Sequence, residues 1–211
     1  MDIEPSDTFV DPPSHVWLSR PRIKHLLDPI LDANPHVELE IGSGKGLFLI
    51  QAAKEHANAY FVGIEIATKY AYGAQAQLER LGLTNGRFFC ADAMQVVCED
   101  IANDRLEAVH CYFPDPWWKK RHKKRRVLNE RMISNIERIL KPSSIFHFWT
   151  DVLDYFESTL DLIAHHSTLE GPMHVSETES KHDLDYRTHF ERRTRRNGLP
   201  VYRSQFRKPL A

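Results

Sequence analysis

The chain has 211 residues and a mass of 24.6 kDa, 42% of them hydrophobic and 27% charged. A chain of this size buries roughly 70% of its unfolded surface, enough for one domain without disulfide or metal staples, and its composition excludes disordered and collagen-like classes. The near-neutral balance of 28 Lys/Arg against 29 Asp/Glu conceals a segregation: residues 119–126 hold seven Lys/Arg and no acid, residues 187–208 hold eight against one, and the rest holds 13 basic and 28 acidic residues.

Residues 1–36 carry six prolines and read as an arm followed by a short helix near Ile23 to Leu31, with a domain over 37–211. The arm's acidic, proline-punctuated start and the short apolar runs predict neither a signal peptide nor a membrane span. Cys90, Cys98 and Cys111 lack Cys-x-x-Cys spacing, which fits reduced thiols and a cytoplasmic location. Beyond the arm, β-rich runs and helical periodicities alternate. Strands are expected at Val37–Ile41, Tyr60–Ile64, Arg87–Cys90, Ala108–Phe113 and Ser144–Trp149. Helices are expected at Gly46–Glu55, Ala67–Leu81, Ala93–Ile101, Asn129–Leu140 and Val152–Ala164, with a final run at Val201–Phe206. This alternation predicts βαβ units and a parallel sheet.

The first strand runs into Glu40-Ile41-Gly42-Ser43-Gly44-Lys45-Gly46, a G-x-G-x-G turn opening a helix. A Walker A loop is excluded because Gly46 follows Lys45, and the dinucleotide fingerprint is excluded because Leu47 stands where its third glycine belongs. The turn resembles the nucleoside-binding loop of S-adenosyl-L-methionine-dependent methyltransferases. That cofactor presents ribose hydroxyls, an adenine amine and a cationic methionine portion, all of which favour carboxylates. Glu65 ends the second strand nineteen residues after Gly46, Asp92 follows the third strand, and Glu40 flanks the turn itself. The plainer alternatives are a tight β–α turn and, for Asp92, a helix cap.

In an open α/β sheet, ligands meet outside the carboxyl ends of the strands. After the fourth strand comes Phe113-Pro114-Asp115-Pro116-Trp117-Trp118, then the basic run from Lys119 to Arg126. A rigid turn holding one carboxylate, two aromatics and concentrated positive charge suits a base delivered on a phosphate backbone. The alternative is a buried tryptophan pair beside a solvated basic loop. The twelve histidines show no metal spacing, so no metal is expected.

Together with Thr188-His189-Phe190-Glu191, these motifs resemble the bacterial-type tRNA guanine-N7 methyltransferases over roughly residues 37–207. The resemblance implies an α/β, Rossmann-like methyltransferase fold with a mostly parallel seven-stranded sheet and helices on both faces. It also implies methyl transfer from S-adenosyl-L-methionine to guanosine 46 in the variable loop of tRNA. Carried onto this chain, the cofactor would be held by Glu40, Gly42, Gly44, Gly46, Glu65, Asp92 and Asp115, with Asp115 also catalytic. Substrate contacts would fall on Lys119, Asp151, Thr188, His189, Phe190 and Glu191. The tRNA backbone would meet Lys120, Arg121, Lys123, Lys124, Arg125 and Arg126, and on the later segment Arg192, Arg193, Arg195 and Arg196. His189 and Trp118 depart from residues common in the family. Rival readings are methylation of an exocyclic amine on another RNA base and an idle RNA-binding scaffold. A monomer and a homodimer are both compatible with the sequence.

Overall fold

A computed structural model describes residues 23–176 and 188–210, with the side chains of Lys120 and His189 also outside the described set. The first 22 residues of the arm, and Arg187, lie outside the described residues.

Strands β1 (Val37–Ile41), β2 (Tyr60–Glu65), β3 (Gly86–Cys90), β4 (Leu106–Tyr112), β5 (Leu140–Thr150), β6 (Glu170–His174) and β7 (Tyr202–Arg207) form one sheet of order β3-β2-β1-β4-β5-β7-β6. The first five are parallel, and β7 runs antiparallel between β5 and β6. Helices α1 (Lys24–Ala33), α2 (Leu47–Glu55), α3 (Thr68–Arg80), α4 (Ala93–Gln95, continued by a π turn to Asp100), α5 (Glu130–Ile139) and α6 (Leu153–His166) cover the two faces. Helix α7 (His189–Arg196) precedes β7.

Alternation along the strands sorts the core into two layers. Leu39, Ile41, Val109, Cys111 and Phe148 pack with α1 and α5 on one face. Phe61, Phe88, Tyr112 and Trp149 pack with Phe48 and Leu49 of α2 and Leu78 of α3 on the other. Helix α5 shows how local sequence sets packing. Asn129 caps it by accepting from the Met132 N–H, and its stripe of Met132, Ile133, Ile136 and Ile139 is fully buried. Each such side chain contributes ~1.5–3 kcal/mol of burial.

Helix α1 buries Leu27 and Leu31 in the same core layer as Val37, so residues 23–36 pack as part of the domain body. Strand β6 escapes the sequence reading because Gly171 and Pro172 interrupt it and none of its residues is buried. It is an edge strand whose pairing with β7 is irregular between Glu170 and Met173. Strand β5 starts at Leu140, four residues earlier than its apolar run, because Leu140 pairs with Leu106 directly after α5 ends. The strand order reverses between β1 and β4, which leaves a crevice beyond their carboxyl ends.

Candidate active site

The crevice is a cavity of about 650 Å³, a size typical of small-molecule sites. Glu40, Gly42, Ser43 and Gly44 form one wall, Phe48, Tyr112 and Phe113 another, and α7 covers it with Thr188, Phe190, Arg192, Arg193 and Arg196.

Gly42, Gly44 and Gly46 all take left-handed backbone, with φ of +73°, +53° and +75°. At Gly46 a Cβ would lie 2.5 Å from the Phe88 ring and 2.9 Å from Ala74 Cβ, so the helix start requires glycine twice over. The Gly44 N–H donates to Glu65 Oε2 at 2.8 Å, and the Ala67 N–H donates to Glu65 Oε1 at 2.7 Å. Glu65 therefore ties the glycine turn to the end of β2. Asp92 is exposed and caps α4 by accepting from the Met94 N–H at 2.8 Å, so the capping reading holds whatever else it binds.

Glu40 is 4% exposed, and its Oε2, like the Ser43 hydroxyl, has no hydrogen-bond partner among the described residues. Burial, and secondarily the Glu65 carboxylate, push its pKa well above the usual carboxylate range. An uncompensated buried carboxyl in a cavity wall is costly unless a ligand completes it. A cationic amine is the complement, so these residues fit the methionine end of S-adenosyl-L-methionine.

The turn after β4 is strained and clamped. Phe113 and Trp117 take φ of +50° and +46°, unusual for non-glycine residues. Arg126, expected among the backbone-gripping cations, points inward instead and is 8% exposed. Its guanidinium donates to Pro116 O at 2.9 Å, Ser158 Oγ at 3.0 Å and Asp154 Oδ2 at 2.8 Å, and lies 4.3 Å from the Tyr155 ring centroid. The Lys123 and Arg126 hydrogen bonds hold the Asp154 carboxyl below its ordinary range. Asp115 is thereby presented on an exposed turn two residues beyond Phe113, outside the cavity lining.

Residues Lys120–Arg125 form a short 3-10 helix. Arg125 lies 5.1 Å over the half-buried Trp117, whereas Trp118 is 70% exposed, so the tryptophans are not a core pair. Lys119, Arg121 and Lys124 are exposed, and Lys123 pairs with Asp154 at 2.8 Å.

Helix α7 also differs from a simple cationic grip. Thr188 caps it by accepting from the Glu191 N–H at 3.0 Å. Glu191, expected on the guanine edge, is buried and accepts from Arg203 at 3.1 Å and Arg195 at 3.4 Å. Asp151 accepts from the Thr194 hydroxyl at 3.2 Å. Arg192, Arg193 and Arg196 line the cavity, and Arg195 pairs with Glu191 one turn back, because the helix periodicity that faces three of them to the pocket turns the fourth toward the Glu191 side of the helix. Phe190 lies nearly parallel to Phe113, with centroids 6.3 Å apart, and carries Arg193 over its ring at 4.9 Å.

Sequence reasoning missed Glu38, His110, Tyr112, His147 and Arg203. For all but Arg203, which lies on the antiparallel β7, the available signal was polar residues at strand spacing within central parallel strands, which ordinarily read as continuous apolar runs. Among the described residues no cluster could hold a metal ion, and no helix is long and apolar enough to cross a membrane.

The sheet order, the glycine turn and the cavity at the β1/β4 reversal define an S-adenosyl-L-methionine-dependent methyltransferase of the Rossmann-like class. A solved structure titled "Structure of an Antibiotic Related Methyltransferase" shares the fold, with a TM-score of 0.62 at 16% identity over 91% of this chain and 96% of that one. A family model described as "Putative methyltransferase" matches residues 34–204. The tRNA (guanine-N(7)-)-methyltransferase of Rhodopirellula baltica is 47% identical over 82% of this chain, which spans 66% of that protein's length. The enzyme of the same name from Pseudoalteromonas translucida is 32% identical over 86% of this chain and 76% of its own length. The chain belongs to the tRNA (guanine-N7)-methyltransferase family.

Proposed function

We propose that this protein transfers the methyl group of S-adenosyl-L-methionine to N7 of guanosine 46 in the variable loop of tRNA. The observation that carries the cofactor part of the reading is the buried Glu40 Oε2 and Ser43 hydroxyl in the cavity wall, which have no hydrogen-bond partner among the described residues. When bound, the cofactor supplies an electrophilic methyl on a sulfonium.

Guanine N7 has an in-plane lone pair and no proton, so no general base is required. The chain's task is alignment, for which a well-oriented pair of reactants supplies ~7–11 kcal/mol in favourable cases. Glu40 and Ser43 anchor the methionine end, the glycine turn and Glu65 shape the nucleoside end, and α7 excludes water from above. Asp115, on its clamped turn, accepts from N1–H and the 2-amino group of guanine, with Asp151 beside α7 as the second acceptor. Both stabilise the positive charge that methylation places on the purine. Adenine lacks that donor edge and is rejected. Glu191 acts instead by seating α7.

The backbone grip falls to Lys119, Arg121 and Lys124, which are exposed, and to the cations of α7 at the cavity rim. The test is methyl transfer to unmodified tRNA by wild type and Asp115→Ala. The reading expects transfer by the first and loss of it in the second, with the cofactor still bound. An Asp115→Ala variant as active as wild type removes Asp115 from the reaction.

A further inference from the structure

Beneath the cavity, four strands present one polar and aromatic face. His110 of β4 stands opposite Glu40 of β1 and His147 of β5, and His147 stands opposite Gln205 of β7. One pleat nearer the cavity, Tyr112 stands opposite Trp149, and Trp149 opposite Arg203. Glu38 Oε2 lies 2.7 Å from His110 Nε2, and His110 Nδ1 lies 2.9 Å from the Tyr112 hydroxyl. A carboxylate only accepts, so in the neutral imidazole the proton sits on Nε2, Nδ1 accepts, and the tyrosine O–H donates inward to it. His110 is buried and stacked on His147 with centroids 4.5 Å apart, and Phe48 closes its other side at 4.6 Å. Burying this chain costs desolvation that an apolar filling would avoid. Of its three members, only Tyr112 reaches the cavity wall.

We propose that the ring of Tyr112 is the surface on which the cationic sulfonium of the methyl donor rests, and that His110 and Glu38 are positioning residues that aim and polarise it. This rests on the assignment of the cavity to the cofactor. The face of an aromatic ring carries negative potential and attracts a cation placed over it. Donation of the phenol proton toward Nδ1, with Glu38 drawing on the opposite imidazole N–H, raises the electron density of that ring. The Tyr112 ring meets Phe48 edge-on, at 5.0 Å and 86°, and packs against Trp149 at 5.0 Å and 55°. Methyl transfer leaves a neutral thioether, which keeps only the weaker sulfur–aromatic contact and loses the attraction of the ring for a cation. The site therefore separates fresh donor from spent donor by charge, at nearly equal size.

Calorimetric titration of the full chain with S-adenosyl-L-methionine and with S-adenosyl-L-homocysteine measures this directly, because the two Kd values form a ratio that general loosening of the cavity leaves unchanged. Tyr112→Leu is expected to shift the ratio roughly tenfold toward the homocysteine. Tyr112→Phe, which keeps the ring without its tether, is expected to shift it by a smaller factor in the same direction. Glu38→Leu is expected to follow Tyr112→Phe, whereas Glu38→Gln, whose amide oxygen still accepts from Nε2–H, retains most of the wild-type ratio. Equal weakening of both ligands in Tyr112→Leu makes the ring a plain wall and overturns the inference while leaving the cavity assignment standing. An unchanged ratio in Tyr112→Phe and Glu38→Leu removes the positioning role. Failure of the wild type to bind either ligand overturns the cavity assignment and this inference together.

Discussion

Glu191 and Arg203 meet at 3.1 Å with side chains only 4% and 6% exposed, and this buried ion pair fastens α7 to β7 above the cavity. Arg203 also lies 5.0 Å over the Trp149 ring, which in turn contacts Tyr112 at 5.0 Å. The cover and the floor of the site are thus joined through one row of side chains.

Removing one partner of a buried pair leaves an uncompensated charge. Arg203→Met should cost about 3 kcal/mol, the low end of the usual range because Arg195 still faces Glu191. Urea denaturation measures the loss. The same variant should weaken cofactor binding, since α7 loses its seat, and calorimetry reads that separately.

Glu40 makes stability depend on pH in a definite direction. Its pKa in the folded state lies above the unfolded one, so its contribution is fully present below the unfolded pKa and is lost as pH rises through the folded pKa. Glu40→Gln, which stays neutral, should therefore melt higher than wild type near pH 7, with the gap closing as pH falls toward the ordinary carboxylate range. Thermal melts at several pH values check this. The same substitution should abolish tight cofactor binding.

Arg126 belongs to the turn and not to the RNA face. Arg126→Ala should destabilise the fold by roughly 1.5–3 kcal/mol and lower methyl transfer, since Pro116 O and Ser158 Oγ lose a charged donor, while the exposed Asp154 keeps Lys123. The salt dependence of tRNA binding should stay as in wild type. By contrast, replacing Lys119, Arg121 and Lys124 together with Ala should lower the slope of log K against log salt by roughly 0.7–0.9 for each phosphate no longer neutralised, with little change in stability. Filter binding over a salt series distinguishes the two variants.

The fold was largely legible because its signals are local. Each parallel strand of VELEI or YFVGI type lies between helices with clear periodicity, and the glycine turn fixes where the first helix starts. Fine roles were less legible because charge type does not reveal direction. Arg126 and Lys124 are two residues apart in one basic run, yet the first is buried against Tyr155 and the second faces solvent. Glu191 has the chemistry of a guanine acceptor, but its register on α7 turns it to Arg203. The Glu38–His110–Tyr112 chain joins positions 72 residues apart and becomes visible only when β1 and β4 are paired.

The central claim is tested most directly by locating the methyl group that purified protein and S-adenosyl-L-methionine place on an unmodified tRNA. After reduction with borohydride and treatment with aniline, the strand should break at a single variable-loop guanosine, the signature of N7 methylation. Label incorporated on adenine or on an exocyclic amine, with no break at that guanosine, or tRNA that binds and is never methylated, would contradict the account.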